Sequence, residues 1–194
     1  MKIGFLIFRG IGMFRFYLIS FFKRKKFSYK GLKHFAGRGA KLKVNDGGKI
    51  SIGRSIYLSD GSILGAHLNG HLLIGNNNFF NTNTSVICLD SIVIGNNNLF
   101  AQNVVIVDHN HSYDNPTVPI CKQGYKTKKV SIGSNCWICA NTVICAGTCI
   151  GDNIIISANS VVKGSLMEPG IYAGSPAKLV KRLEIFNEKN INNC

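Results

Sequence analysis

The sequence predicts an all-β parallel solenoid, and three observations carry that prediction. From Ile132 an aliphatic residue recurs at every sixth position: Ile132, Ile138, Ile144, Ile150, Ile156 and Val162. A helix face repeats near 3.6 and a strand face at 2, so a period of six marks a short strand plus a turn. Ile-Gly pairs open larger units at Ile52-Gly53, Ile74-Gly75, Ile94-Gly95, Ile132-Gly133 and Ile150-Gly151. The runs Asn76-Asn77-Asn78 and Asn96-Asn97-Asn98 follow two of these pairs, and Gly and Asn are the residues that accept the left-handed backbone of tight corners. Three flat faces of about six residues make one triangular coil, and stacked coils make the solenoid. One such domain with two short appendages accounts for 194 residues.

Residues 1–49 form an apolar and basic segment. Phe5, Phe8, Phe14, Phe16, Tyr17, Phe21 and Phe22 supply the apolar part, and thirteen Lys or Arg face a single acid, Asp46. The segment therefore holds +12 of the chain's net +14. Arg9 and Arg15, with Gly4, Gly10 and Gly12, argue against a membrane-spanning helix. Two compatible readings remain. The segment caps the open end of the solenoid, or it lies on an anionic membrane surface with Lys23-Arg24-Lys25-Lys26 at the headgroups. No groove-reading motif accompanies the basic arm, which sets nucleic acid aside.

Residues 50–167 form the solenoid. Within coils the sixes run Ile52, Leu58, Leu64; Ile74, Phe80, Val86; and Ile94, Phe100, Ile106. Successive Ile-Gly pairs lie 22, 20, 38 and 18 residues apart. Since a plain coil needs 18, small bulges are expected near 66–73 and 88–92. The 20 surplus residues of the third gap leave as a loop over 108–129, which carries His109 and His111. Long loops on rigid scaffolds are disproportionately functional. Small residues four steps after the aliphatic one (Cys136, Thr142, Thr148, Ser160) are expected to fill the narrow interior. The cysteines Cys136, Cys139 and Cys145 follow the repeat rather than tetrahedral spacing, so no metal is expected. The odd number of thiols, seven, suits a reducing cytoplasm. In the tail, residues 168–194, Pro176-Ala177-Lys178 precedes Leu179, Val180, Leu183 and Phe186, an amphipathic spacing that predicts a short helix.

The Ile-Gly hexads, the histidine-bearing excursion "VDHNHSYDNP" and the ending "PGIYAGSPAKLVKRL" resemble the hexapeptide-repeat acyltransferases. The likeness covers about residues 50 to 183 and points to sugar O-acetyltransferases of the galactoside and colanic-acid type. It implies a left-handed β-helix, a homotrimer with active sites between subunits, and acetyl-CoA as acyl donor. It also implies direct transfer to a sugar hydroxyl in polysaccharide synthesis, with a histidine as general base. Counted five positions on from Ile106, that base is His111; His109 positions the acceptor. By the same resemblance Asn81 and Asp90 bind the acceptor. Trp137 and Ala158 line the CoA groove, and Lys163, Lys178 and Lys181 meet its phosphates. An antibiotic or other small hydroxyl compound is the alternative acceptor. A zinc hydratase like the γ-type carbonic anhydrases is the alternative class, drawing on His67, His71, His109 and His111. The expected location is the cytoplasm, in peripheral contact with the inner face of the membrane.

Overall fold

The computed structural model describes residues 2–23 and 26–184. Short parallel strands stack into three sheets, one for each face of a triangular prism. Face one stacks Phe27–Tyr29, Lys49–Ile52, His71–Ile74, Ser91–Ile94, Val130–Ile132, Cys149–Ile150 and Ser165–Leu166. Face two stacks Phe35–Ala36, Tyr57–Leu58, Phe79–Phe80, Leu99–Phe100, Trp137–Ile138, Ile154–Ile156 and Gly170–Gly174. Face three stacks Lys41–Val44, Ile63–Ala66, Ser85–Cys88, Val105–Val107, Val143–Ile144 and Val161–Val162.

The residues picked out by the sixes point inward and lie directly on one another, and Leu166 and Tyr172, outside that spacing, extend two of the columns. On face one the column runs Ile52, Ile74, Ile94, Ile132, Ile150, Leu166. Face two gives Leu58, Phe80, Phe100, Ile138, Ile156, Tyr172. Face three gives Leu64, Val86, Ile106, Ile144, Val162. All are buried. The rings of Phe80 and Phe100 lie parallel with centroids 4.7 Å apart, and burying one such side chain contributes about 1.5–3 kcal/mol.

Cys136, Thr142, Thr148 and Ser160 fill the interior beside these columns. Their polar atoms are satisfied by the coil itself: the Thr148 hydroxyl donates to the Val162 carbonyl at 3.1 Å. Lower in the stack Asn78 and Asn98 take the equivalent place. The Asn78 amide donates to the Gly95 carbonyl at 2.8 Å, and its oxygen accepts the Asn98 N–H at 3.0 Å. Buried polar groups are tolerated because each is paired.

Two corners are regular. From face one to face two, Asn77, Asn97, Asn135 and Asn153 adopt left-handed backbone, as do Asn83, Asn103, Asn141 and Asn159 from face two to face three. Their side-chain amides bond from coil to coil, Asn135 to Asn153 at 2.7 Å and Asn141 to Asn159 at 3.0 Å. The glycines of the Ile-Gly pairs serve a different purpose from the one their corner placement suggested. None of Gly53, Gly75, Gly95, Gly133 and Gly151 has positive φ. They are small because the coils touch there: a Cβ on Gly95 would stand 2.6 Å from the Gly133 carbonyl oxygen. The third corner, from face three back to face one, is irregular. It holds the turns 45–48 and 67–70, the shorter turn at Leu89 and Asp90, and the excursion that begins at Asp108.

Both ends differ from the sequence expectation. The first coil starts at Phe27 rather than near residue 50, with Phe27, Ala36 and Leu42 paired onto Ile50, Leu58 and Leu64. No coil precedes these three, yet they are buried, because helix α1 (Lys2–Lys23) covers them. Phe16 is fully enclosed, 6.0 Å from the Phe27 ring and stacked on His34 at 4.5 Å. Gly12 lets the helix backbone sit on Phe35, whose ring would be 2.0 Å from a Cβ. The expected C-terminal helix is replaced by a strand. Ala177–Arg182 turns back and pairs antiparallel with Gly170–Gly174. The last strand of face two otherwise ends the sheet with a row of open backbone groups, and pairing satisfies them where a helix cannot. Phe186 lies outside the described residues.

Two expectations follow. Gly95→Ala forces coil separation at one corner and should destabilise the fold by about 1–3 kcal/mol, read as a lower midpoint in urea. His34 is buried, its Nδ1 accepting the Ile56 N–H at 3.3 Å and its Nε2 facing the Lys30 carbonyl at 2.9 Å. Burial holds its pKa below the ordinary 6.5, so below that value the unfolded chain binds a proton that the folded one refuses. Stability is full above the ordinary value and falls as the pH drops through it. Melting temperatures measured from pH 8 to 5 should show this decline, and His34→Gln should flatten it.

Candidate active site

After Val105–Val107 the chain leaves the prism at Asp108 and rejoins it at Lys128, whose N–H donates to the Asp108 carbonyl at 2.8 Å. The excursion begins as a hairpin, with His109–His111 antiparallel to Tyr125–Thr127. Its tip is tied down by the Gln123 amide, which donates to the Asn115 and Val118 carbonyls at 2.9 and 2.7 Å, and by an ion pair between Lys126 and Asp114.

Asp108 anchors the whole excursion. Alternation along the strand turns its side chain inward after Ile106, and it is fully buried. Its carboxylate accepts the backbone N–H groups of Leu89, Asp90 and Ser91 at 2.9, 2.8 and 2.8 Å. The Cys88 thiol donates at 3.4 Å; burial, aided by the carboxylate's charge, pushes the pKa of that thiol up and keeps it protonated. Every one of these groups is a donor, so the carboxylate serves as an acceptor. Its remaining partner is Nδ1 of half-buried His109, 3.1 Å from Oδ1. An aspartate that accepts a hydrogen bond from Nδ1–H fixes the imidazole tautomer and leaves Nε2 with its lone pair free.

His111 sits differently. It is exposed, with its ring 4.6 Å from that of Tyr125. Tyr125 also stands edge-on to His109 at 5.6 Å. Beside this pair an open cleft of about 430 Å³ is lined by Leu68, Asn69, Leu89, Asp90, Tyr125 and Thr127. Leu68 and Asn69 have φ of 50° and 65°, a conformation costly for leucine that sets its side chain at the rim of the cleft. The cleft thus offers an aromatic ring, a carboxylate, an amide and a hydroxyl next to an oriented imidazole.

Of the residues expected from the sequence, His109, His111 and Asp90 come together here. The others lie elsewhere. Asn81 is at the corner between faces two and three, its side-chain oxygen accepting the Thr82 N–H at 2.8 Å. Ala158 is exposed at that same corner, higher in the stack. Trp137 stands outward on face two between Leu99 and Ile155, in a small cleft of about 210 Å³ that Leu183 helps to line. Lys178 and Lys181 are on the closing strand against face two, and Lys163 is exposed at the third corner, two coils beyond the excursion. Lys163 apart, which shares the corner of the excursion two coils on, the two groups are separated by the width of face three, roughly 15 Å at about 3.3 Å per residue. A single chain does not unite them. Sequence reasoning missed Asp108, although an acid adjoining a candidate base was a readable signal. Tyr125, Leu68 and Asn69 carried none. Among the described residues no three His, Cys, Asp or Glu side chains are placed to hold a metal ion.

The family described as bacterial transferase hexapeptide (six repeats) matches residues 129–164. The chain is 31% identical over 142 residues to an Escherichia coli K12 protein that bears the name lipopolysaccharide biosynthesis O-acetyl transferase WbbJ, covering 70% of this chain and 72% of that one. It is 28% identical over 142 residues to a protein of Mycobacterium tuberculosis H37Rv named as an acetyltransferase, covering 71% of this chain and 45% of that longer protein. Among solved structures, AntD, an N-acyltransferase from Bacillus cereus in complex with dTDP and 3-hydroxybutyryl-CoA, superposes with a TM-score of 0.65. That likeness is one of fold, at 23% identity, covering 84% of this chain and 87% of the other.

Asp108→Ala would leave three backbone donors without a partner, that of Leu89 buried and those of Asp90 and Ser91 partly buried. With each orphaned donor costing about 1–3 kcal/mol, the variant should lose several kcal/mol in chemical denaturation, and Asp108→Asn should lose less.

Proposed function

The chain belongs to the hexapeptide-repeat transferases, as an acetyltransferase with the left-handed β-helix fold, and on that premise we propose that it moves an acetyl group from acetyl-CoA to a sugar hydroxyl with His109 as general base. The observation that carries this reading is the buried Asp108 bonded to His109 Nδ1 beside an open cleft. An alcohol is a weak nucleophile near neutral pH. Nε2 of His109 takes the hydroxyl proton as the oxygen attacks the thioester carbonyl, and a tetrahedral adduct forms. The adduct collapses, the C–S bond breaks, and the proton passes to the departing CoA sulfur. No acyl-enzyme is needed. Compared with the sequence expectation the two histidines exchange roles: His111 with Tyr125 positions the acceptor and His109 does the proton transfer.

A sugar suits the cleft, because Tyr125 offers an aromatic face while Asp90, Asn69 and Thr127 offer hydrogen-bonding groups of the kind that bind hydroxyls. The Escherichia coli relative is named for lipopolysaccharide biosynthesis, which favours a cell-surface glycan as the final destination. The six described cysteines are all free thiols, in keeping with work in the cytoplasm.

The donor half of the site is Trp137, Ala158, Lys178 and Lys181 on and around face two, with Lys163 near the third corner; Asn81, expected to bind the acceptor, also lies away from His109, at the corner between faces two and three. Since the base stands across face three from most of these residues, the proposal requires chains to associate, the base of one meeting the CoA groove of the next. Exposed apolar side chains on the participating surfaces support a homotrimer: Leu99 and Trp137 on face two are 52% and 49% exposed, and Tyr113, Ile120 and Tyr125 stand out from the excursion.

The test is thiol release from acetyl-CoA over a panel of sugars, nucleotide sugars and glycolipids. His109→Ala should lower kcat by about 10²–10⁴, whereas His111→Ala should mainly raise the acceptor KM. The opposite pattern returns the base to His111, and failure to bind CoA ends the reading.

A further inference from the structure

Helix α1 has two apolar faces, and a cap needs one. Gly12, Phe16 and Ser20 are buried against the first coil. On the opposite side Ile11, Phe14, Leu18 and Phe22 are exposed, Phe14 by 68% and Phe22 by 75%. At about 100° per residue these positions form one stripe along the helix. Tyr17 donates its hydroxyl to the Leu32 carbonyl at 2.6 Å, which holds the loop with exposed Leu32 and Lys33 beside the helix.

Charge says what covers that stripe. Lys26, Lys30, Lys33, Arg38, Lys41 and Lys43 are exposed around this end of the prism, and Asp46 is the single acid in residues 1–49. A second copy would bring the same +12 against itself and be repelled. An anionic bilayer supplies both what the stripe lacks, an apolar boundary, and what the lysines lack, counter-charge. Among the described residues no helix is long and apolar enough to cross a membrane. We propose that α1 docks the first coil of the solenoid onto an anionic lipid surface, lying in the interface with Ile11, Phe14, Leu18 and Phe22 at the acyl boundary and the surrounding lysines at the headgroups.

The proposal stands apart from the acetyl-transfer reading. Together with that reading it has a consequence for the acceptor. The His109 cleft is three coil steps of about 4.8 Å above the first coil, and a helix about 10 Å thick lies beneath, so the cleft stands roughly 25 Å from the lipid. A glycan carried on a lipid reaches that height; a lipid headgroup alone does not.

The experiment is sedimentation of the full chain with vesicles of phosphatidylglycerol and phosphatidylcholine, against vesicles of phosphatidylcholine alone, at low and high salt. The chain should sediment with the anionic vesicles and be released by salt, since screening shortens the reach of the lysines. The triple variant Phe14→Ser/Leu18→Ser/Phe22→Ser should lose roughly a hundredfold in partitioning, with melting temperature and acetyl transfer to a soluble acceptor unchanged. Lys26→Glu/Lys30→Glu/Lys33→Glu, which leaves the apolar stripe intact, should also lose binding. Wild-type protein that stays in the supernatant with anionic vesicles overturns the proposal. So does undiminished binding by both variants, or a wild-type assembly that ignores vesicles and falls apart in the serine variant, which would give the stripe to a second copy.

Discussion

Each coil of this protein must repeat the outline of the coil beneath it. Parallel ladders at about 4.8 Å spacing leave no slack along the prism axis, and each coil meets only its neighbours. The column of glycines after the inward isoleucines shows how close the approach is, since one added carbon at Gly95 reaches the carbonyl of the next coil. The inward columns, the small interior residues and the two asparagine ladders all serve this one requirement. A residue that does not fit the outline can be accommodated only by leaving it.

The third corner is where the outline is left. The turns 45–48 and 67–70 and the excursion after Asp108 all project there, without disturbing the register of the strands on either side. Freedom of shape is a poor setting for catalysis unless something fixes it. Asp108 does so, because its carboxylate gathers the N–H groups of three successive residues in the coil beneath while also holding His109. One buried side chain thus ties the hairpin to the prism and orients the imidazole.

The two ends of the stack close in different ways, and chemistry explains the difference. At the C-terminal end Ala177–Arg182 adds an antiparallel strand to the open edge of face two. At the N-terminal end the exposed surface is the apolar interior of the first coil, and α1 lays Phe16 across it. His34 is bonded at both ring nitrogens under that helix, which makes the cap sensitive to protonation. Arg15 bonds the Ala36 carbonyl at 3.4 Å, but most of the basic charge collected at this end is exposed and available to a partner.

The sequence alone determined the solenoid, its period, its inward residues from Ile52 onward and the place of the excursion, because each coil states the same local rule again. It did not reveal the first coil. Tyr29, Ala36 and Leu42 occupy the positions of Ile52, Leu58 and Leu64, but the first step is seven residues rather than six, none of the three is isoleucine, and no Ile-Gly pair opens the coil. The tail was misjudged for a related reason: the spacing of Leu179, Val180 and Leu183 satisfies a helix as well as a strand beside an open edge, and only the edge decides. The histidines were legible as a pair, yet what sets them apart is that only His109 meets the buried Asp108, while both rings lie against Tyr125, fourteen residues beyond His111. Local periodicity fixes what repeats along a chain. What pairs across an excursion, covers an end or orients a single imidazole is set by groups distant in sequence, and only the tertiary structure brings those together.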